Sequence, residues 1–510
     1  MDVIETSNGA VRGLSLGAAR AWLGIPYAAP PTGELRFAPP QPVRGWAGIR
    51  EATRFGAAAP QLGPGEGPPP APLSRSLMSL LYPFSGSATT GVTIDEDCLV
   101  LNVWAPAQPS NAPVMVWFHG GAFLHGAGSE PAFWADRLAD RHGVVVVTVN
   151  HRLGALGYLH GAGEGSGAAG MLDLCAALEW VRQNIAAFGG DPSRVTVFGQ
   201  SGGGMKVCAL MAMPRAAGLF HRAIVMSGPG LQFPTPEEAA PLGAALYAAL
   251  DLADGDIDAL RALPARAIVG AQYAAMAAIG SPRGWMPVAD GNALTADPFT
   301  SPAASGTGIP LVIGSTSEET GMFLAGDAAY GELDQSAARA RVADELGADA
   351  ERVVASYPPE VRHDALRLLR RVTTDRDVRV SCQILLERAL ARTGAPVFSY
   401  LFDYDTEVLG GRIGAAHSVD LAFAFDNADR VPLSGVRADR DAVATAMASA
   451  FAAFARTGDP STPLLPWHPA TDASGPTMVF DGAAPGMVED AGSTALRILS
   501  AHPSRLFPRA

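Results

Sequence analysis

An apolar run from Val144 to Val149, interrupted only by Thr148, constrains the fold of this chain more than any other feature. A strand with one face in water alternates apolar and polar residues, whereas a strand covered on both faces is apolar throughout. Strands of the second kind are typical of parallel sheets that have helices packed on both sides. Further segments that are predicted to be strands lie at 100–106, 112–121, 195–198, 221–228 and 309–316.

Segments with helical spacing separate several of these runs. One of them covers 171–188 and ends at Gly189-Gly190, a common way for a helix to stop. Strands that alternate with helices predict an α/β fold with a large, mostly parallel central sheet flanked by helices. Two alanine-rich segments, 235–285 and 331–395, are expected to be helical insertions beside this sheet.

Charge and cysteine content narrow the partners and the location of the protein. The formal net charge is -13, so the positive field that nucleic acid binding requires is absent. No apolar run approaches the ~18 residues that a membrane span needs, so no membrane partner is expected. The four cysteines form no CxxC pair, and the N-terminal segment has neither a basic nor an apolar region typical of a secretion signal. A cytoplasmic location is therefore expected.

A Gly-x-Ser-x-Gly motif at 199–203 supplies a candidate nucleophile, Ser201. In enzymes that use this motif, the serine lies on a strained turn between a strand and a helix. The apolar segment before the motif and the alanine- and methionine-rich segment after it predict that strand and that helix. The same pattern surrounds Ser15, but there it lies in a predicted hairpin turned at Asn8-Gly9, with no helix following. We interpret Ser15 as structural.

A glycine pair, Gly120-Gly121, lies at the end of a predicted strand upstream of Ser201. The tetrahedral intermediate of acyl transfer needs N–H donors aimed at its negative oxygen, and glycine lets the backbone turn such donors inward. With the N–H of Gly202, this pair would form an oxyanion hole of three donors. We expect His119, which precedes the pair, to support the loop and not to act as a base.

The serine hydroxyl needs a base, and an imidazole oriented by a buried carboxylate serves this purpose near neutral pH. In α/β-hydrolases, the carboxylate and then the histidine follow the serine along the chain. Glu318 and Glu319 both follow the apolar run at 309–316, and the chemistry alone does not distinguish them. Of the later histidines, His417 is favoured because it follows a glycine-rich loop and opens an apolar stretch. No metal-binding motif is present.

Residues 62–92 begin with glycine and proline and continue with large apolar side chains. Two interpretations stand for this segment. It is either a short helix packed on the core or a lid, or gorge wall, over an active site.

Motifs of one family occur in order along nearly the whole chain. They include GIPYAAPPTGELRF (24–37), EDCLVLNVW (96–104), WFHGGAF (117–123), GQSGGG (199–204), GSTSEETGMF (314–323) and GAAHSVDLAFAF (414–425). With these motifs, the chain resembles the type-B carboxylesterases, a family that includes bacterial para-nitrobenzyl esterases and animal cholinesterases. The resemblance implies a single domain of the α/β-hydrolase fold over 1–510.

The resemblance also implies roles for single residues. Glu319 aligns with the catalytic carboxylate of the family, Glu318 with the acidic residue before it, and His417 with the catalytic histidine. The oxyanion donors align with Gly120, Gly121 and Gly202. Ser227, in the sequence MSG, aligns with a serine that supports the triad.

Several positions depart from the usual family pattern. Gln200 and Gly202 stand where glutamate and alanine are common, while Ala122 and Thr320 replace glycines. Cys98 has alanine, Ala59, in place of the cysteine that animal members pair with it, so no disulfide is expected there. None of these changes removes a catalytic atom.

Together, these residues predict a serine carboxylesterase that hydrolyses carboxylic esters of small neutral substrates through an acyl-enzyme intermediate. No cofactor and no metal are expected, and a small-molecule ester is the expected partner. Two alternatives remain open: the same triad acts mainly on carbamates, amides or polyesters, or the chain is a non-catalytic, cholinesterase-like binding protein. The sequence does not distinguish a monomer from a dimer.

Overall fold

The computed structural model describes residues 3–63, 93–108, 111–281, 284–300, 308–327, 329–392, 394–482, 484–489 and 491–507. Of the segment 62–92, only Leu62 and Gly63 belong to this part of the chain. The interpretation of the segment as a lid or gorge wall therefore lies outside the described residues.

Strands form two sheets in the described part of the chain: one of three strands and one of eleven. In chain order they are β1 (Val3–Thr6), β2 (Gly9–Arg12), β3 (Leu14–Leu16), β4 (Ala19–Pro26), β5 (Ile49–Glu51), β6 (Val100–Pro106), β7 (Ala112–Phe118), β8 (Val145–Val149), β9 (Gly190–Gln200), β10 (Arg222–Met226), β11 (Leu311–Thr316), β12 (Val397–Phe402), β13 (Thr477–Phe480) and β14 (Gly486–Val488).

The large sheet has the strand order β14-β13-β12-β11-β10-β9-β7-β8-β6-β4-β3. Neighbouring strands are parallel from β13 to β8 in this order. At one edge, β14 pairs antiparallel with β13, and at the other edge β6, β4 and β3 each pair antiparallel with the strand before them in the order. The prediction of a large, mostly parallel central sheet is confirmed. The carboxyl ends of β7, β9 and β11 consequently lie along one edge, where binding sites of α/β sheets occur.

The central strands are buried on both faces, as their continuous apolar sequence predicts. Along β7, Val114, Val116 and Phe118 pack into one hydrophobic cluster, whereas Met115 and Trp117 pack into a second one. This alternation reflects the period of two in a strand, with each face covered by its own layer of helices.

Helices cover both faces of the sheet. In chain order they are α1 (Asp136–His142), α2 (Gly154–Tyr158), α3 (Ala169–Asn184), α4 (Gly202–Leu210), α5 (Pro236–Ala249), α6 (Ile257–Ala262), α7 (Ala265–Ile279), α8 (Gly321–Leu324), α9 (Gln335–Leu346), α10 (Ala350–Ser356), α11 (Pro359–Arg362), α12 (Ala365–Thr374), α13 (Val380–Arg392), α14 (Leu421–Ala424), α15 (Arg440–Thr457) and α16 (Ser493–Leu499). A π-helical turn, Asp375–Arg379, joins α12 to α13.

Side chains of α3 and α4 belong to one core cluster of the sheet, and side chains of α15 belong to the other. Helices α5 to α7 occupy much of the segment 235–285, and α9 to α13 occupy much of 331–395. Among the helices described, none combines the length and the apolar composition that a membrane crossing needs.

The N-terminal hairpin differs from its prediction by one residue. Thr6 pairs with Gly9, so the turn residues are Ser7 and Asn8 and not Asn8 and Gly9. Glycine is needed at position 9 for another reason. A Cβ placed there would lie 2.6 Å from Nε1 of Trp46.

Ser15, the centre of the second Gly-x-Ser-x-Gly match, lies on β3 at the edge of the large sheet. It is exposed, and β3 continues into the antiparallel strand β4 and not into a helix. This environment agrees with the structural interpretation of Ser15.

Candidate active site

Ser201 occupies a sharp turn between the end of β9 and the start of α4. Its φ of 58° and ψ of -125° lie in a region that residues other than glycine rarely adopt. The flanking glycines permit this turn, because a Cβ on Gly199 would lie 2.4 Å from the backbone of Gly203. A Cβ on Gly203 would lie 2.0 Å from the carbonyl oxygen of Phe118. The sequence motif therefore forms the strained strand-to-helix turn that exposes a serine hydroxyl.

Glu319 and His417 form a buried hydrogen-bonded pair, although they are far apart in sequence. Nδ1 of His417 donates to Oε2 of Glu319 at 2.5 Å, and the other carboxylate oxygen accepts from the backbone N–H of Thr316 at 2.8 Å. Glu319 is fully buried and His417 is 7% exposed. With the proton held on Nδ1, Nε2 of the imidazole is left free to accept another proton.

The side chain of Gln200 lies on the ring of His417. Its amide nitrogen is 3.2 Å from Nε2 and 3.4 Å from Nδ1. An atom this near to both nitrogens would clash with the carbon between them if it lay in the ring plane, so the amide packs on the ring face. No hydrogen bond joins Ser201 to His417 among the described residues. Such contacts are often long in a free enzyme and shorten when substrate binds.

The loop after β7 packs directly against the Ser201 turn. A Cβ on Gly120 would lie 3.5 Å from the Cβ of Ser201, and a Cβ on Gly202 would lie 2.1 Å from the carbonyl oxygen of Ala122. Gly121 has a φ of 80°, which favours glycine. Within the described part of the chain, the N–H groups of Gly120, Gly121 and Gly202 have no hydrogen-bond acceptor. Three backbone donors without an acceptor in this part of the chain therefore belong to the Ser201 turn and to the loop packed against it.

The close approach at Gly202 gives a first prediction. We expect Gly202→Ala to lower kcat for an ester about 10²-fold, because its methyl group pushes the Ala122 carbonyl and shifts the donors of the loop. Steady-state kinetics measures the effect. Gly270→Ala is the matched control, since Gly270 lies in α7 with open space around its Cα. An unchanged kcat in Gly202→Ala would mean that the loop moves aside without consequence.

His119 supports the loop, as expected. Its Nδ1 lies 2.9 Å from the carbonyl oxygen of Gly120, and its side chain is buried. Burial, above all, lowers the pKa of His119 to about 3. The ring is therefore neutral at pH 7 and donates to the Gly120 carbonyl from Nδ1.

Glu318, the other candidate carboxylate, points away from His417 into a group of arginines. Its oxygens accept from Nε of Arg370 at 2.5 Å and from Nε of Arg367 at 3.1 Å. Thr320, on the far side of Glu319, bonds to Thr373 at 2.6 Å. The acidic turn is thus anchored to α12 through both neighbours of Glu319.

Ser227 lies just after β10 with a φ of 50°, and its N–H donates to the carbonyl of Gly314 at 2.8 Å. Its hydroxyl is buried and has no hydrogen-bond partner among the described residues. The structure therefore does not join Ser227 to the pair of Glu319 and His417 by a hydrogen bond, and its supporting role stays a prediction.

Asp420 is a buried carboxyl group near His417 that the sequence analysis did not single out. The hydroxyl of Tyr400 donates to its Oδ2 at 3.1 Å. Burial first, and the charge of Glu319 second, raise the pKa of Asp420 to about 7. Asp420 therefore carries a proton for much of the time at neutral pH. Its position three residues after His417 was the only available signal in the sequence.

Comparison with known proteins extends this picture to the whole chain. Residues 1–490 match the sequence model of the Carboxylesterase family. The chain is 36% identical over 499 residues to the para-nitrobenzyl esterase of Bacillus subtilis, and the match covers 94% of each protein.

Two solved structures share the fold over nearly their full length. A carboxylesterase of Geobacillus stearothermophilus has a TM-score of 0.81 and 33% identity, covering 98% of this chain and 99% of that one. An esterase of Clostridium hathewayi that can hydrolyze aliphatic aromatic polyesters has a TM-score of 0.80 and 31% identity, covering 98% of each chain. The strand order, the strained serine turn and the full-length matches agree, and the chain belongs to the carboxylesterase family, whose members hydrolyse carboxylic esters on an α/β-hydrolase fold.

Proposed function

We propose that this carboxylesterase hydrolyses esters of small neutral substrates in two acyl-transfer steps at Ser201. The observation that carries the proposal is the hydrogen bond between Glu319 and His417, beside a serine on a strained turn. A buried carboxylate that fixes the tautomer of an imidazole leaves Nε2 ready to accept the serine proton. Nothing in a non-catalytic binding protein would require this pair.

In the first step, Oγ of Ser201 attacks the ester carbonyl carbon while Nε2 of His417 takes the hydroxyl proton. The carbonyl oxygen becomes negative and accepts from the N–H groups of Gly120, Gly121 and Gly202. One such donor contributes roughly 3 kcal/mol to the stability of the transition state. His417 then returns the proton to the alcohol oxygen as the C–O bond breaks, which leaves an acyl group on Ser201.

In the second step, water attacks the acyl carbon while His417 takes one of its protons. The same three donors hold the oxygen, and Ser201 leaves as its oxygen regains a proton from His417. The products are a carboxylic acid and an alcohol. Glu319 keeps its negative charge throughout and stabilises the imidazolium, as the carboxylate of such triads does.

Covalent trapping tests this mechanism. We expect a fluorophosphonate to add one equivalent to the protein, located on Ser201 by peptide mass spectrometry, and to abolish hydrolysis of para-nitrophenyl butyrate in proportion. Addition to another residue would contradict the assignment of the nucleophile. Hydrolysis that persists after complete labelling would contradict the mechanism.

A second substrate class deserves testing because the Clostridium hathewayi esterase, which shares the fold, can hydrolyze aliphatic aromatic polyesters. The same chemistry at Ser201 would cleave a polymer ester if the chain could reach the serine. Incubation with an aliphatic aromatic polyester film, followed by chromatography of released acids, measures this activity. Release at a rate comparable with that from soluble esters would favour the polymer; activity on soluble esters alone would favour the small substrates proposed above.

We further propose a cytoplasmic location, with a small-molecule ester as partner and neither nucleic acid nor a membrane. The four cysteines, Cys98, Cys175, Cys208 and Cys382, are all buried and free. Unpaired thiols are usual in a reducing compartment. Fractionation of the source cells, with the protein followed by its esterase activity, tests the location.

A further inference from the structure

We infer that Lys206 is a positioning residue of the oxyanion hole: its ammonium group holds the loop before Ala122 and aims the N–H of Gly120 at the substrate oxygen. The inference rests on the proposed function, because it concerns the oxygen that becomes negative during ester hydrolysis. Lys206 lies on α4, five residues after Ser201, and touches neither substrate nor triad.

Lys206 is exceptional in the sequence and in its environment. The chain contains 37 lysine and arginine residues, and Lys206 is the single lysine among them. It is also fully buried. All the remaining residues of the lysine and arginine set are arginines. Position 206 instead has lysine, whose compact ammonium group carries three donors at the end of a flexible side chain.

The contacts of the ammonium group explain how it can orient the loop. Nζ of Lys206 donates to the carbonyl oxygens of His119 and Ala122, at 2.9 Å each. In a planar trans peptide, the carbonyl and the next N–H point in opposite directions. Lys206 therefore draws the His119 carbonyl towards α4 and turns the N–H of Gly120 to the opposite side.

The next peptide is held in the same way. Nδ1 of His119 lies 2.9 Å from the carbonyl oxygen of Gly120, which turns the N–H of Gly121 away from the histidine. Both donor peptides of the loop are therefore fixed through their carbonyls, the first by Lys206 and the second by His119. Together with the bond from Lys206 to Ala122, these contacts brace the loop from 119 to 122.

The charge of Lys206 has no counter-charge among the described residues, because the partners of its ammonium group there are carbonyl oxygens and no carboxylate acts on it. The ring of Phe123 lies 5.2 Å from Nζ. The ionisable groups around it are His119, His125 and His151, whose pKa values are all lowered by burial and then by Lys206. Burial also lowers the pKa of Lys206 to about 7.

A buried ammonium without a carboxylate is unfavourable for folding. The buried ammonium group of Lys206 becomes favourable when the substrate oxygen, on the other side of the Gly120 peptide, acquires a negative charge. Hydrogen bonds in series polarise one another, so a charged donor on the His119 carbonyl strengthens the Gly120 N–H as a donor. The ammonium group thus stabilises the charged intermediate more than the resting enzyme.

Replacement by methionine separates this role from a structural one. We expect Lys206→Met to lower kcat for para-nitrophenyl butyrate about 10²-fold with KM changed less than about threefold. Its melting temperature should equal or exceed that of the wild type, because a buried unpaired charge is removed. Arg215→Met is the matched control, since Arg215 pairs with Glu179 at the surface and its change should leave kcat unaltered.

A trifluoromethyl ketone, which adds to a serine to form a negative hemiketal oxygen, supplies the second readout. We expect its inhibition constant to rise in Lys206→Met by the same factor by which kcat/KM falls. A purely structural role predicts a lower melting temperature and an unchanged inhibition constant for the folded protein. Either an unchanged kcat or an unchanged inhibition constant would overturn the inference.

A third measurement uses the wild type and does not depend on how a variant folds. Because the chain has one lysine, protein labelled with ¹³C at lysine Cε gives a single side-chain signal that reports the protonation of Lys206. We expect the titration of this signal to move upward by at least about one pH unit in the hemiketal complex. Identical titrations in the two states would overturn the inference. A wild type that forms no hemiketal and hydrolyses no ester would instead reject the proposed function itself.

Discussion

Ser201→Ala is expected to lower kcat for para-nitrophenyl butyrate by about 10⁶-fold, to near the background rate. The loss is this large because the serine oxygen forms the acyl-enzyme bond, and no other group on the Ser201 turn can replace it. The oxyanion donors and the bound geometry remain, so a small residual rate above that in water is expected. Initial rates with purified wild type and variant measure the effect.

Ser15→Ala is the matched control for this experiment. Ser15 lies in the other Gly-x-Ser-x-Gly match of the sequence, but on an exposed edge strand. We expect its replacement to leave kcat unchanged. Equal activity of Ser201→Ala and the wild type would reject Ser201 as the nucleophile. A loss of activity in Ser15→Ala would mean that Ser15 contributes to catalysis and is not only structural.

Glu319→Gln has the second largest expected effect, a decrease in kcat of about 10⁴-fold. Oε2 of Glu319 accepts the hydrogen bond from Nδ1 of His417. An amide at this position can present an N–H to Nδ1, which then loses its proton to Nε2. The imidazole would hold the wrong tautomer and could not accept the proton of Ser201. Steady-state kinetics on a variant whose melting temperature stays close to that of the wild type measures the effect.

Glu318→Gln, the same substitution one position earlier in the sequence, is the control for Glu319→Gln. Glu318 is buried and pairs with Arg370 and Arg367. Arg367 also faces Asp405, so the amide would leave the buried guanidinium of Arg370 without its carboxylate partner. We expect the free energy of unfolding in urea to fall by about 3–5 kcal/mol. The kcat of the folded protein should change much less than in Glu319→Gln. A 10⁴-fold loss in both variants would contradict the separate roles of the two carboxylates.

The sequence was informative where the relevant contacts are local. Continuous apolar runs revealed strands buried on both faces, because burial of a strand is recorded in the residues of that strand. The glycines around Ser201 revealed a strained turn for the same reason. Gly199 and Gly203, which contact each other in this turn, are only four residues apart in the sequence. The predicted hairpin turn was wrong by one residue, because Gly9 looked like a turn residue. Glycine is required there by the close approach of Trp46, which lies 37 positions further along the chain.

The family and the class of reaction were thus determined by the sequence alone, since they depend on local motifs repeated in order along the chain. The chemistry of the residues left Glu318 and Glu319 undecided, and the family resemblance favoured Glu319. Only the tertiary structure shows the contact itself, because neighbouring residues on a turn point in different directions and His417 is 98 positions away from Glu319. The tertiary structure also brought the amide of Gln200 onto the His417 ring and the ammonium of Lys206 beneath the oxyanion loop. In sequence Lys206 is one basic residue inside a helix; its partners lie 87 and 84 positions away, and only folding brings them together.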